Sequence, residues 1–377
     1  MVAGHFTTVR IALVCDWYRP RVGGIELHLE QLAGQLAAAG HQVTVITPTR
    51  GRSEDRGPVR VHRLRGWLLP RIGLAWTPLM FRRLGAALRA GRFDVVHAHS
   101  SLISPTAYAA LWQARAGGLP AVLTVHSIWG GFERMFAVLN GAFGWTRWPV
   151  VFSAVSEYCA SDMRPLLRFR TVHVLPNAIV PEDWNVAPNL PANGINIACI
   201  MRLAPRKRGV AFLRALQIVR AQLPAGVRLQ CQIAGDGPER RQLEALAEQL
   251  GLTDCVRFHG AVDSGRVKAL LAESHFFVLP TVLEAFGLAA LEARAAGLPV
   301  VAIRASGVGE WLEDGVEGLL ADDDADLARC ILRLASDRAL LADMTAHNRR
   351  TPVTFTWDRA VAAHLALYAQ ARQLTTT

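Results

Sequence analysis

The chain has 377 residues, 51% of them hydrophobic and 19% charged, which gives enough length for two globular domains and excludes a disordered polymer. No uninterrupted apolar run approaches the ~18 residues that a membrane-crossing helix needs. The net charge of +10 is concentrated in residues 1–180, which hold 20 Arg against 9 acidic residues, and this excess indicates either an anionic partner or simply an Arg-rich composition.

The first half alternates apolar with amphipathic segments, beginning with a strand at residues 9–15 and a helix that ends near Gly40. Strands that are apolar throughout are typical of a parallel sheet covered by helices on both faces. Residues 1–180 are therefore predicted to form a Rossmann-like, doubly wound domain, to which the family resemblance described below assigns the acceptor. Its further strands are predicted at residues 42–47, 93–99, 121–126, 151–156 and 171–176.

The segment that follows is rich in Pro and Asn, and we assign residues 181–194 to a linker. The alternation resumes over residues 195–350, which predicts a second Rossmann-like domain. A C-terminal helical segment within residues 351–377 either extends that domain or crosses back to the first. The fold class is thus α/β, with two tandem doubly wound domains and an expected ligand cleft between them.

The six cysteines form no CxxC pair, and most of them lie within apolar runs. Disulfide frameworks and zinc sites require paired or closely spaced cysteines. We therefore expect buried free thiols and a reducing, cytoplasmic location.

The absence of a complete dinucleotide-binding motif argues against a nicotinamide enzyme. A dinucleotide-binding turn has the pattern GxGxxG between a strand and a helix. GDGPER at residues 235–240 and GVGEWL at residues 307–312 both lack the third glycine. A P-loop nucleotidase is disfavoured as well, because the chain has no Walker A sequence.

Three loops between a strand and a helix have the chemistry for binding a diphosphate. Gly23 and Gly24 in RVGGIE allow backbone N–H groups to approach a phosphate, although a plain tight turn has the same pattern. In MRLAPRKRG, Arg202 and Lys207 supply a guanidinium and an ammonium that can neutralise a diphosphate from two sides. Gly287 in EAFGLAALE opens a helix whose free N–H groups are available to an anion.

Taken together, these loops resemble a known family in their order and spacing. Five elements resemble the family 4 retaining glycosyltransferases of the GT-B fold: GGIE, VLPNAIV, the RLxxxKxG arrangement, AGDGP and the E-x7-E element EAFGLAALE. The resemblance extends over residues 9–345. Met201 and Arg208 depart from the family pattern without removing a charged group.

The resemblance implies a nucleotide-sugar donor that is held mainly by the second domain. Arg202 and Lys207 would hold the diphosphate and stabilise the charge that develops on it. Glu284 would bind hydroxyls of the transferred sugar, and Glu292 would bind those of the ribose. The implied backbone contacts to the donor come from Gly23, Gly24, Phe286, Gly287 and Leu288.

Three histidines lie at the ends of predicted strands. His126 in TVHSIWG would lie near the sugar and the acceptor, although a buried structural histidine has the same appearance. We assign no catalytic role to His97 and His99 in VVHAHSS.

No metal and no cofactor besides the nucleotide sugar are expected, because the family usually works without a metal. The segment DDDAD at residues 322–326 contains the DxD pattern of metal-dependent glycosyltransferases of another fold. It precedes a predicted helix, where acidic residues are favoured by the helix dipole.

The acceptor is implied only by weaker patterns. Residues 129–149 mix Trp and Phe with Arg, which predicts either a lipid-facing surface or ordinary core aromatics with solvated arginines. Some stretches resemble one subgroup, the catalytic subunit that transfers N-acetylglucosamine to phosphatidylinositol in GPI-anchor synthesis. We expect transfer of a hexosyl or N-acetylhexosaminyl group from a UDP-sugar to a lipid or glycan, on the inner face of the plasma membrane. The arginines that would add to the lipid-facing surface are Arg63, Arg65, Arg71, Arg82 and Arg83.

Three alternatives share parts of this pattern. A GDP-mannose-dependent mannosyltransferase would have the same core motifs. A sugar-nucleotide epimerase of the GT-B fold would need acid and base groups aimed at one sugar carbon. A nucleic-acid-binding protein would need clustered arginines on a reading helix or stacking platform. The arginines here are scattered, so no nucleic-acid partner is expected.

Overall fold

The computed structural model describes residues 8–21, 23–51, 53–64, 77–191, 194–224 and 226–376, with the side chains of residues 54–56 and 376 left out. Among the arginines proposed for a lipid-facing surface, Arg65 and Arg71 lie outside the described residues. The assignment of Arg63 to that surface is wrong, because its side chain is buried and donates to Arg19 O at 2.8 Å and to Thr49 O at 3.1 Å. The chain divides into unit 1, which comprises Met1–Ala178 and Trp357–Thr377, and unit 2, which comprises Ile179–Thr356.

Unit 1 is built on an eight-stranded sheet with the order β3-β4-β2-β1-β5-β6-β7-β8. Every pairing is parallel except that between β3 and β4. Its strands are β1 (Arg10–Cys15), β2 (Gln42–Thr47), β3 (Glu54–Arg56), β4 (Val59–Arg63), β5 (Val95–Ser100), β6 (Ala121–Val125), β7 (Val150–Ala154) and β8 (Val172–Val174). Its helices before unit 2 are α1 (Gly24–Ala38), α2 (Pro78–Gly91), α3 (Pro105–Ala116), α4 (Glu133–Phe143) and α5 (Glu157–Met163).

Unit 2 has a six-stranded, fully parallel sheet with the order β11-β10-β9-β12-β13-β14. Its strands are β9 (Ile195–Ile200), β10 (Leu229–Ala234), β11 (Val256–Gly260), β12 (Phe276–Leu279), β13 (Val300–Ile303) and β14 (Gly318–Ala321). Its helices are α6 (Gly209–Gln222), α7 (Arg240–Gln249), α8 (Ser264–Ala272), α9 (Leu288–Ala295), α10 (Asp324–Ser336) and α11 (Arg338–Arg350). The last helix, α12 (Trp357–Thr376), belongs to unit 1.

Both sheets confirm the predicted α/β class, because apolar strands alternate with helices throughout. The central strands β5, β6 and β7 are buried at every position, which requires helices on both faces. In each sheet the strand order reverses once, between β1 and β5 in unit 1 and between β9 and β12 in unit 2. Ligands of open α/β sheets bind at the carboxyl ends of the strands beside such a reversal.

The segment assigned to a linker lies inside unit 2. Ile179 N–H donates to Phe355 O at 3.0 Å, and Asn189 N–H donates to Ala272 O at 2.8 Å. Residues Pro181–Trp184 form a short 3₁₀ helix whose Trp184 is buried. These bonds attach residues 179–191 to the second sheet unit, and the boundary falls after Ala178 rather than in the Pro- and Asn-rich stretch.

The six cysteines are unpaired, and all except Cys330 are buried, as the sequence predicts. In the part of the chain that the structure describes, no helix combines the length and apolarity needed to cross a bilayer.

The core of unit 1 contains a cluster of buried histidines. Helix α12 packs across β5, β6 and β7 and against α1, so that it covers one face of the sheet. His97 and His364 have ring centroids 5.5 Å apart, and His28 stacks on Trp357 at 5.5 Å. We call this group the histidine cluster; its members are His28, His97, His99, His126 and His364.

Burial keeps the whole histidine cluster neutral. Desolvation is the main cause that lowers the pKa of each imidazole, to about 4 for His364 and to about 3 for His126. The pKa values of His28, His97 and His99 are also well below the ordinary value, again mainly because of desolvation. A cluster of five cations in this space would be strongly unfavourable.

We predict that unit 1 loses stability as the pH falls below about 6.5. The unfolded chain binds protons at these histidines near that pH, whereas the folded unit excludes them. The stabilisation is therefore complete above the unfolded-state pKa and is lost on acidification, at up to about 1.4 kcal/mol per pH unit for each histidine. Urea titrations followed by tryptophan fluorescence between pH 7.5 and 5 measure this slope.

The variant His364→Leu removes one buried imidazole, so its stability should depend less steeply on pH. The matched control His62→Asn alters an exposed histidine and should leave the slope unchanged. Equal slopes in His364→Leu and the wild type would contradict the assignment.

Candidate functional site

The predicted donor-binding residues of unit 2 gather at the strand reversal. Arg202 follows β9 by two residues, and Glu284 lies in the loop after β12. Because β9 and β12 are neighbours and parallel, their carboxyl ends open on the same edge of the sheet. Lys207 ends the short 3₁₀ turn Pro205–Lys207 before α6, and it reaches this edge from the side of β9.

An ion pair joins the two loops. Lys207 Nζ donates to Glu284 Oε2 at 2.5 Å, and both side chains are partly exposed, at 29% and 16%. Glu284 Oε1 accepts a hydrogen bond from Gly287 N–H at 3.3 Å. Each carboxylate oxygen has a second lone pair, so Glu284 can still accept from a ligand hydroxyl while it holds Lys207.

Arg202 is exposed, and it forms no ion pair with any of the described residues. The backbone on both sides of it is fixed, since Met201 N–H donates to Ala234 O and Leu203 N–H donates to Asp236 O, each at 3.0 Å. A guanidinium held on a fixed backbone but free of a protein carboxylate is well suited to an anionic ligand.

Sequence reasoning matched AGDGP as a motif but missed what its glycines do. A Cβ at Gly235 would lie 1.9 Å from Met201 O, and one at Gly237 would lie 2.2 Å from Leu203 O. Neither distance is sterically allowed, so only glycine lets this loop bond directly to the loop that bears Arg202. Paired glycines after a strand were the available signal, and their role depended on knowing that β9 and β10 are adjacent.

Gly287 begins α9 in a left-handed conformation at φ +84°, as its place in the motif suggests. The N–H groups of Phe286 and Leu288 have no acceptor among the described residues, whereas that of Gly287 is bonded to Glu284. The Phe286 side chain is buried, and its ring centroid lies 5.4 Å from that of Phe355. The start of α9 therefore has free backbone donors at the edge where Glu284 lies.

A second missed residue is Gly307, in the GVGE turn. Its N–H donates to Glu284 O at 2.8 Å, and a Cβ there would lie 2.1 Å from Ala285 O. The turn thus presses against the loop that presents Glu284 and fixes its position. No local pattern indicates this contact, because the two segments are more than 20 residues apart.

Glu292 lies on the second turn of α9, whereas Glu284 precedes the helix. Burial raises the pKa of the Glu292 carboxyl to about 8. No side chain in the described ranges bonds to it. The two oxygens of a carboxyl group can accept from two vicinal hydroxyls.

The aspartates of DDDAD are engaged within unit 2. Asp322 is bonded to Arg304 at 2.8 Å, and Asp323 caps α10 by accepting from Asp326 N–H at 2.8 Å. Asp324 pairs with Arg208, the residue that departs from the family pattern and has a left-handed backbone at φ +58°.

In unit 1, the predicted residues lie around the start of α1. Gly23 is the N-cap of this helix and has no side-chain cap bond, and a Cβ at Gly24 would meet nothing within 4 Å. His28 lies one turn further on, and its ring centroid is 5.3 Å from that of His126. His126 follows β6 directly and is buried, at 8% exposure, with one ring nitrogen 2.9 Å from His99.

Two family models match complementary parts of the chain. The model described as "Glycosyltransferase Family 4" matches residues 22–183, and that described as "Glycosyl transferases group 1" matches residues 182–351. The two matches meet near the boundary between the units.

Among curated proteins, one subunit of the phosphatidylinositol N-acetylglucosaminyltransferase of Arabidopsis thaliana is 30% identical over 368 residues, covering 93% of this chain and 79% of that protein. The gpi3 subunit of the enzyme with the same name from Schizosaccharomyces pombe is 29% identical over 346 residues, covering 86% and 72%. Among solved structures, a sucrose-phosphate synthase from Thermosynechococcus elongatus superposes with a TM-score of 0.77 at 22% identity, covering 96% of this chain and 98% of that one. The last likeness shows the fold alone.

Proposed function

The chain belongs to the family 4 glycosyltransferases of the GT-B fold, and from that premise we propose that it transfers a hexosyl or N-acetylhexosaminyl group from a UDP-sugar to a lipid or glycan acceptor. The transfer retains the configuration at the sugar carbon and uses no metal ion. The proposal rests mainly on one observation: exposed Arg202 and the Lys207–Glu284 pair lie at the strand reversal of unit 2.

In this mechanism the two cations act on the leaving group. A nucleoside diphosphate gains negative charge as its bond to the sugar breaks, and Arg202 and Lys207 stabilise that charge. Lys207 is already held near the site by Glu284, so little reorganisation is required when a phosphate arrives. The uncapped start of α1 at Gly23 and Gly24 remains a proposed source of further backbone N–H donors.

Glu284 and Glu292 serve as two contacts to one extended donor rather than as an acid–base pair. Glu284, at the loop before α9, binds hydroxyls of the transferred sugar. Glu292, on the second turn, binds the two ribose hydroxyls through its two oxygens. The free N–H groups of Phe286 and Leu288, at the start of the same helix, bind the sugar or the phosphate between these points.

The choice of UDP and N-acetylglucosamine rests on the curated relatives, whose names specify an N-acetylglucosaminyltransferase acting on phosphatidylinositol. A GDP-mannose donor is the alternative, since the phosphate and ribose contacts described for unit 2 do not select a base. In unit 1, His126 is the proposed contact to the sugar and the acceptor.

A lipid acceptor would require a surface that binds a membrane, and unit 1 has a suitable face. Helices α2, α3 and α4 are contiguous: Gln113 donates to Phe81 O at 3.4 Å, and Trp112 lies edge-to-face against Phe143 at 6.4 Å. We call this surface the α2–α4 face; its exposed apolar residues are Leu79, Phe81, Trp112, Val138, Leu139 and Phe143.

The charge of the α2–α4 face is complementary to anionic lipid. Four exposed arginines of these helices and of the turn after α4 form no ion pair within the described part of the chain: Arg82, Arg115, Arg134 and Arg147. The only acidic residues between positions 77 and 149 are Asp94 and Glu133, and Asp94 is bonded to Arg10 at 3.0 Å. We propose that this face docks on the cytoplasmic side of the plasma membrane, with apolar side chains in the interface and arginines at phosphate groups.

Replacing Lys207 by Gln should reduce kcat/KM by about 10²–10³-fold, because the cation that stabilises the departing diphosphate is lost. Gln can still donate to Glu284, so the fold should be retained. The matched control is Lys268→Gln, at the other lysine of the chain, whose Nζ lies 5.5 Å from the centroid of the Trp184 ring. The activity of this variant should stay within about twofold of the wild type. Steady-state assays with UDP-N-acetylglucosamine and a membrane extract as acceptor measure both, and equal activity in the two variants would remove Lys207 from the site.

Treatment with EDTA should leave most of the transferase activity in place, because protein cations take the role that a metal has in other glycosyltransferases. The assay compares untreated enzyme, enzyme with EDTA, and enzyme with EDTA followed by excess manganese. Complete loss that manganese restores would make DDDAD a metal site and contradict the proposed mechanism.

The protein should sediment with vesicles that contain anionic phospholipid and much less with neutral ones. Val138→Asp places a charge at the most exposed apolar position of the α2–α4 face, at 73% exposure, and should weaken binding at least about fivefold. Ile218→Asp is the control, because it introduces the same charge at an exposed apolar position of α6 in unit 2. Binding that is equal for both vesicle types, or equally weakened by both variants, would contradict docking through this face.

A further inference from the structure

The hydrogen bond between His99 and His126 carries an inference about the substrate contact. His99 lies on β5 and His126 directly follows the neighbouring parallel strand β6, where its N–H donates to the carbonyl of Ser100, the residue after His99, at 2.8 Å. His99 Nδ1 lies 2.9 Å from His126 Nε2, and both rings are buried. One proton must therefore lie between these two nitrogens.

The surroundings of His99 determine whether that proton is bonded to His99 Nδ1 or to His126 Nε2. His99 Nε2 is fully enclosed and has no hydrogen-bond partner among the described residues. If His126 were the donor, neutral His99 would carry its own proton on Nε2, as a buried N–H without an acceptor. If His99 Nδ1–H is the donor, Nε2 is only an unpaired acceptor. Orphaned buried N–H groups are the rarer defect in folded proteins, so His99 is the donor.

The orientation of the His99 ring is held by the rest of the histidine cluster. Its ring lies 3.9 Å from that of His97, measured between centroids. His97 is bonded at both nitrogens, to Tyr368 Oη at 2.9 Å and to Thr124 Oγ1 at 2.7 Å. A ring packed on such a fixed neighbour cannot readily turn over to exchange its two nitrogens.

The same reasoning determines which ring nitrogen of His126 carries its proton. With its Nε2 accepting from His99, neutral His126 carries its proton on Nδ1. That nitrogen has no partner in the described part of the chain, yet it is not among the fully enclosed polar atoms, so it remains open to a ligand.

We propose that His99 is a positioning residue that holds His126 in the Nδ1–H tautomer, so that His126 meets the substrate as a neutral hydrogen-bond donor. The proposal rests on the transferase function proposed for this chain and refines the contact of its unit 1 with substrate. A neutral donor binds a sugar hydroxyl without bringing a cation to the sugar. No proton is transferred in this step, and His126 acts neither as a general acid nor as a general base.

The test combines NMR with kinetics on the full chain. Long-range ¹H–¹⁵N correlation spectra of histidine-labelled, ligand-free protein report the tautomer of His126, which is assigned from the signals lost in His126→Gln. The wild type should show His126 protonated at Nδ1. His99→Leu removes the donor, so His126 should shift to a mixture of tautomers or to the Nε2–H form, and kcat should fall at least about tenfold.

Two further variants separate positioning from simple structural support. His99→Asn places an amide N–H near the position of Nδ1, so it should restore the Nδ1–H tautomer and most of kcat. His364→Leu removes another imidazole of the same cluster but leaves the His99–His126 bond, so the tautomer should be unchanged. The KM for the nucleotide sugar should stay within about threefold in all three variants, since unit 2 holds most of the donor.

An Nε2–H signal for His126 in the wild type, or an unchanged tautomer in His99→Leu, would overturn the proposal. So would a loss of kcat in His99→Asn as large as that in His99→Leu. Absence of turnover in the wild type would instead contradict the proposed function, while the ligand-free spectrum would still decide the tautomer.

Discussion

The ion pair between Lys207 and Glu284 is the constraint around which unit 2 is arranged. It joins the loop after β9 to the loop after β12 at the strand reversal, and each partner compensates a charge that would otherwise be costly to half-bury. Gly235 and Gly237 let the loop after β10 pack on the first of these loops, and Gly307 lets the turn after β13 pack on the second, through close backbone contacts that a Cβ would prevent. A cationic edge is therefore assembled without a ligand, as the proposed diphosphate contact requires, and Arg202 beside it remains unpaired among the described residues.

The sequence predicted the α/β architecture and the edge on which these residues lie, because apolar strands and the loops after them are local patterns. It also placed Glu284 before a helix and Glu292 within it, since Gly287 marks the helix start. It could not predict the Lys207–Glu284 bond or the Gly307 contact, which join segments remote in the chain. The Pro- and Asn-rich stretch was misleading for the unit boundary, because Trp184 and Asn189 attach it to unit 2.

The histidines in the core of unit 1 are neutral, in contrast to the ion pair at the edge of unit 2. That core holds five of them, and most of the described arginines of unit 1 are exposed, although Arg63 is buried. The importance of His99 was invisible in the sequence because its ring packs on His97, which is bonded to Tyr368 of α12, a helix that returns from the far end of the chain. A histidine that looks like ordinary core thereby determines how the neighbouring His126 is protonated.

Saturation-transfer NMR with UDP-N-acetylglucosamine and GDP-mannose tests most directly whether the edge of unit 2 binds a nucleotide sugar. The account predicts transfer to ribose and sugar protons of one of these donors, with the signal lost in Arg202→Gln and retained in Arg329→Gln, which alters an exposed arginine of α10. Absence of binding by either nucleotide sugar, or equal binding by both variants, would contradict it.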